Sequence, residues 1–179
     1  MHQVDAHEQD RCHTAIRSDF ARAAFFDASA LVKLYVSEVG SEAVQAFFNS
    51  EATKYTTSFC FYEALSILKS KWKNQGLLTQ DQYLEACIRL AAWYGFNQRW
   101  IKNPDLTDAE VLFEARDLAK AHALDMSDAL QLLTVRDGYF SSFVSGSRTI
   151  FVTADRELAS VAGLIGLRVW NLLDDPPPP

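Results

Sequence analysis

An α/β fold with a mainly parallel central sheet follows from three observations along this 179-residue chain. Ala24-Phe25-Phe26 is a short apolar run suited to a strand covered on both faces, and it passes through Asp27 straight into a helical pattern, Ala30 to Tyr35. Thr149-Ile150-Phe151-Val152-Thr153, the clearest strand, repeats that logic: Ala154-Asp155-Arg156 follows, then a helix from Glu157 to Ala162. Between the two, β-prone and helical stretches alternate, the pattern of a layered structure with crossover helices. No internal repeat appears, and the length suits one domain whose core stands without disulfide or metal staples.

Residues 1–22 read as an N-terminal extension, expected to be mobile, with His2, His7 and His13 scattered among Asp5, Glu8 and Asp10 at spacings that share no helix face. The domain proper runs over 23–173. Ser29 is placed to cap the first helix. Val39-Gly40-Ser41 is a break, after which Glu42–Phe48 restarts as an amphipathic helix carrying Ala43, Val44, Phe47 and Phe48. Lys54–Thr57 is a short second strand. Thr57 or Ser58 caps the next helix, which holds Glu63 between apolar neighbours and closes at Gly76. Thr79 with Gln82 is a capping box opening a helix through about Tyr94, and Thr107 with Glu110 is a second, opening a helix to His122. Gly95–Asp105 between them reads as loop. Ser127 is a good cap for a helix begun by Asp128; Asp137-Gly138 and the serine-rich stretch to Ser147 read as loop. Leu167–Trp170 suggests a last strand, and 174–179 is a proline-rich tail.

Composition narrows the function. No run approaches the roughly 18 apolar residues of a membrane span, and Met1–Ser18 has no apolar signal core, so a cytoplasmic protein is expected. The three cysteines, Cys12, Cys60 and Cys87, form no CxxC pair, which suits a reducing compartment. A net charge of −6 argues against a surface coated with positive charge for nucleic acid. It leaves room for an enzyme whose carboxylates hold cations and so present a positive centre to phosphate.

The carboxylates are Asp27, Glu63, Asp128 and Asp155, separated by 36, 65 and 27 residues. Those gaps are too long for a local calcium loop and normal for a site assembled by a sheet. Asp27 and Asp155 end strands that a parallel sheet brings to one edge, where open α/β folds bind ligands. Glu63 and Asp128 lie early in helices that start there. Carboxylates so gathered repel one another unless a cation neutralises them, and hard oxygen donors suit Mg²⁺ or Mn²⁺. Each residue also has a plainer reading: Asp27 and Asp155 as helix caps, Glu63 as a solvated helix residue, Asp128 as a charge favoured by the helix dipole. Asp125 competes with Asp128. Ser29 and Thr153 are caps that can also touch a metal-bound water.

Phe26-Asp27-Ala28-Ser29-Ala30-Leu31-Val32-Lys33-Leu34-Tyr35, Ser58–Leu65 around Glu63, Ser127-Asp128-Ala129-Leu130 and Phe151-Val152-Thr153-Ala154-Asp155 together resemble the motifs of PIN-domain nucleases, most closely the VapC-type toxins of type II toxin–antitoxin systems. The resemblance runs from about Phe25 to Leu172. It implies a three-layer α/β/α fold and a catalytic Mg²⁺ or Mn²⁺ site of Asp27, Glu63, Asp128 and Asp155. It further implies endoribonuclease activity on single-stranded RNA and a cognate antitoxin laid over the site; a homodimer is expected separately, from apolar helical surface suited to self-association. The chain departs from the pattern in its N-terminal tail, in extended regions around Asn97–Asp105 and Asp137–Arg148, and at Leu130–Thr134, where the family often has small residues; this last reads as a packing variation.

Lys69, Lys71 and Lys73 with Trp72, and Arg99 and Lys102 with Trp100, combine charge with stacking surface, as single-strand binding does, although a solvated helix end and a packed loop explain them equally. Lys33 and Arg156 flank the motifs. Apolar helical surface in Leu31–Phe48 and Leu65–Trp72 is the expected face for antitoxin or self-association. Two other functions compete with the nuclease. One is a binding module that grips RNA or protein without cleaving. The other is an aspartyl phosphatase, which wants a second Asp where Ser29 stands.

Overall fold

The computed structural model describes residues 22–51, 53–141 and 149–178. Residues 1–21 of the extension, with its three histidines and Cys12, and most of the serine-rich stretch lie outside them. Four strands, β1 (Ala23–Phe26), β2 (Thr53–Tyr55), β3 (Thr149–Thr153) and β4 (Arg168–Asn171), form one sheet in the order β2-β1-β3-β4. Every pairing is parallel. Seven helices fill the described connections: α1 (Ala28–Lys33), α2 (Ser41–Ser50), α3 (Ser58–Lys73), α4 (Gln80–Phe96), α5 (Ala109–His122), α6 (Met126–Asp137) and α7 (Arg156–Leu164).

β1 is central and wholly buried, as its apolar run requires. Alternate side chains point to opposite faces, so Phe25 and Phe26 serve different halves of the core. Phe25 stacks on Phe151 at 5.5 Å and meets Tyr55 edge-on at 5.2 Å. Phe26 meets Phe48 of α2 edge-on at 5.0 Å, and Phe47 in turn reaches Trp170 of β4 at 4.9 Å. Such pairs add about 0.5–1.5 kcal/mol each beyond the area they bury. Apolar cover on both faces makes the α/β/α layering.

Local details depart from the sequence expectation in four places. Asp27, not Ser29, caps α1, its Oδ1 accepting from the Ala30 N–H at 2.7 Å. Asp108 caps α5, because Asp105 captures both the amide and the hydroxyl of Thr107 at 2.9 and 2.7 Å, and the Thr107–Glu110 box does not form. Asp125 caps α6 in place of Ser127, accepting from Asp128 N–H at 2.8 Å. Within Gly95–Asp105, α4 continues to Phe96, a 3-10 turn covers Gln98–Trp100, and Ile101 bridges in parallel to Thr56 beyond β2. The Thr79–Gln82 box forms as expected, and Thr57 is the cap of α3.

The expected docking face narrows. Leu31, Val32, Val44, Phe47 and Leu68 are core residues and drop out of that face, whereas Val39 is exposed and Phe48, Leu65, Ile67 and Trp72 are half-buried.

Candidate active site

The register of the sheet builds the site. Phe26 pairs with Val152, and the Asp27 amide continues the ladder to Val152 O at 3.2 Å, so Asp27 leaves the sheet level with Thr153. The Asp27 side chain, 3% exposed, is held on both oxygens. Ser29 Oγ lies 2.8 and 3.0 Å from its two oxygens, and the Thr153 hydroxyl donates to Oδ2 at 2.5 Å. Ser29 and Thr153 are in turn fixed by the β3–α7 turn: Ala154 N–H donates to Ser29 Oγ at 2.7 Å and Asp155 N–H to Thr153 Oγ1 at 2.9 Å. Asp155 caps α7 through Leu158 N–H at 2.9 Å. The capping roles of Asp27 and Asp155 are thus real, and each cap stands at the sheet edge.

The other two carboxylates come from helix starts. Glu63 lies in the second turn of α3 and receives Ser127 Oγ at 3.4 Å and Gln131 Nε2 at 3.3 Å, both from α6. Asp128 lies in the first turn of α6. All four belong to one electrostatic neighbourhood. Burial, then the charge of Asp125, followed by Glu63, Asp155 and Asp27, pushes the Asp128 carboxyl up to about 7. Burial pushes Asp27 up to about 7 against its hydrogen bonds, with Glu63 adding to the rise. Glu63 is raised by burial and by Asp125 and Asp155. Asp125 therefore belongs to the cluster as well as capping α6; it is exposed where Asp128 is half-buried.

Hard oxygen donors whose negative charges destabilise one another are the environment a divalent cation relieves. By donor chemistry the set fits Mg²⁺ or Mn²⁺. Among the described residues, however, no group of three or more His, Cys, Asp or Glu side chains is arranged to hold a metal ion as it stands. Asp27 is fixed by its hydrogen bonds, so gathering the donors around one ion falls to the half-buried Glu63 and Asp128.

One site neighbour escaped the sequence reading. Gln131, 1% exposed, falls in the Leu130–Thr134 stretch that reads as packing in the sequence, yet its amide faces Glu63 and its Oε1 has no hydrogen-bond partner among the described residues. A polar side chain one turn after Ser127, inside an otherwise apolar helix, was the available signal. The basic residues near tryptophans sort differently from one another. Trp72 stacks on Tyr83 at 4.8 Å with Lys73 over it at 4.2 Å, Arg99 covers Trp100 at 4.9 Å, and Lys102 covers Tyr139 at 4.1 Å.

A parallel α/β/α sheet with an acidic cluster at the carboxyl edge of its two central strands defines the class. The chain belongs to the PIN-domain family, whose sequence pattern matches residues 24–164. PIN domains are generally nucleases, hydrolases acting on nucleic acids. Two solved structures share the fold. PAE2754 from Pyrobaculum aerophilum is 22% identical with a TM-score of 0.54, over 83% of this chain and 84% of that one. FitAcB from Neisseria gonorrhoeae is 16% identical with a TM-score of 0.56, over 84% of this chain and 99% of that one. No curated protein matches the chain. No helix among the described residues is long and apolar enough to cross a membrane.

Proposed function

We propose that this chain is a Mg²⁺- or Mn²⁺-dependent endoribonuclease, the toxin of a type II toxin–antitoxin pair, working in the cytoplasm as a homodimer that a cognate antitoxin silences. The observation that carries the reading is the shared electrostatic neighbourhood of Asp27, Glu63, Asp128 and Asp155, four residues drawn from distant parts of the chain. The VapC-like motifs around the same residues support the choice of RNA and of an antitoxin.

Asp27, Glu63, Asp128 and Asp155 would hold the ion, which when bound orients and acidifies a water and stabilises charge on the phosphodiester. Ser29 and Thr153 keep the Asp27 carboxylate in one orientation. Ser127 and Gln131 restrain Glu63. Attack at phosphorus with departure of the 3′-oxygen leaves a 5′-phosphate and a 3′-hydroxyl.

The test is cleavage of a structured RNA pool with Mg²⁺, Mn²⁺ or EDTA, comparing wild type with Asp27→Asn. Metal-dependent cutting that falls about 100-fold or more in the variant is expected, the scale of losing one part of a preorganised electrostatic site. Equal cutting by both proteins would remove the four-carboxylate site from the reaction. Mn²⁺ binding without cleavage of any RNA would favour the binding module.

A further inference from the structure

Next to the carboxylate edge lies a cavity of about 310 Å³. Its lining includes Ser29 and Ala154, which border the Asp27 centre, together with Lys33, Glu38, Lys71 and Ile67. Lys33 is only 5% exposed, and its Nζ donates to Glu38 Oε1 and to Val39 O, both at 2.8 Å. Lys71 Nζ donates to Glu38 Oε2 at 2.5 Å. An ammonium has three N–H donors, so among the described contacts Lys33 keeps one and Lys71 two for another acceptor. Two cations share one carboxylate, so the charges lining the cavity sum to positive beside an acidic cluster and in a chain whose overall charge is −6.

We propose that this cavity holds a phosphodiester of the nucleic-acid strand, the one adjoining the bond placed over the carboxylates, with Lys33 and Lys71 as its donors. The proposal rests on the nuclease reading and adds a substrate-binding subsite to it. An anion is what unused ammonium donors select. Along a nucleic-acid strand, the anion next to a reacting phosphodiester is another phosphodiester, and Ser29 and Ala154, which border both positions, put the two side by side. Glu38 accepts from both ammonium groups and so holds the two side chains together. Among the three lysines of the α3 terminus, Lys71 alone lines the cavity; Lys73 lies over Trp72 and Lys69 is exposed.

The experiment is binding of a short fluorescein-labelled single-stranded RNA of mixed sequence in EDTA, followed by anisotropy across a salt series. Wild type is compared with Lys71→Ala, Lys71→Arg and Lys69→Ala. Lys71→Ala is expected to weaken binding roughly three- to tenfold at low salt and to reduce the slope of log K against log salt by about 0.7, the loss of one phosphate contact to a single strand. Lys71→Arg restores most of the affinity, and Lys69→Ala changes it less than twofold. A folded Lys71→Ala protein with wild-type affinity and slope would overturn the proposal. So would an equal loss in Lys69→Ala, which would make the effect general surface charge, or an acidic peptide that needs Lys71 where RNA does not. Metal-dependent RNA cleavage with no Lys71 effect removes this subsite and leaves the nuclease; Lys71-dependent binding without cleavage does the reverse.

Discussion

Asp27 shows how much one side chain can be asked to do. It caps α1, follows β1 directly and accepts from two hydroxyls while buried close to the charge of Glu63. Thr153→Val, nearly isosteric, removes the 2.5 Å donor to Asp27 and the acceptor for Asp155 N–H. Leaving buried polar groups unmet costs about 1–3 kcal/mol, and urea unfolding of the variant should show a midpoint lowered to match. Gln131→Leu tests the residue that sequence reading passed over: Glu63 loses one of its two α6 donors, and RNA cleavage should fall more than stability does. The cysteines, Cys60 on α3 and Cys87 on α4, allow a chemical check on the helix that carries Glu63. Burial pushes the Cys60 thiol up to about 12, whereas Cys87 is only partly buried. Brief alkylation of native protein, read by peptide mass, should therefore modify Cys87 well before Cys60; equal labelling would mean that α3 opens readily.

Elements were legible where one local rule acted alone. The Thr79–Gln82 box forms because nothing nearby competes for either side chain, and Thr79→Ala should cost about 1 kcal/mol of stability. The Thr107–Glu110 spacing looks the same in sequence, but Asp105 takes the Thr107 hydroxyl first. Asp125 and Ser127 are both good caps two residues apart, and no local rule chooses between them; the contact of Ser127 with Glu63 across to α3 decides. The strands and their terminal carboxylates were readable because apolar runs ending in Asp are visible one residue at a time. Gln131 was not, because its meaning depends on which helix face meets α3. Gly40 marks a further limit: its φ of +86° places it in the left-handed region, and a Cβ there would stand 2.9 Å from Leu172 O. Gly40→Ala should lower the melting temperature, since it pays twice, in backbone strain and in a clash with main chain.

Across the whole molecule, charge sets a pH signature at the ion pairs beside the acidic cluster. Burial works against the ionised form of Glu38, but hydrogen bonds and charges from Lys33 and Lys71 prevail and hold its carboxyl below the ordinary 4.5. A carboxyl lowered in the folded state contributes stability that is present above its unfolded value and lost as pH falls through its folded one. Glu38→Gln should therefore be less stable than wild type at neutral pH, with the gap closing as pH drops below about 4.5; denaturation at a series of pH values checks it. The sheet order carries a different consequence. β3 lies between β1 and β4, and the hydroxyl that orients Asp27 comes from a residue 126 positions later. A nascent chain thus exposes Asp27, Glu63 and Asp128 well before it can gather them, since their common edge appears only when β3 slots in beside β1. On the nuclease reading, the ribosome making this protein faces no cutting centre until β3 has emerged and joined the sheet, and the arrival of that one strand arms it.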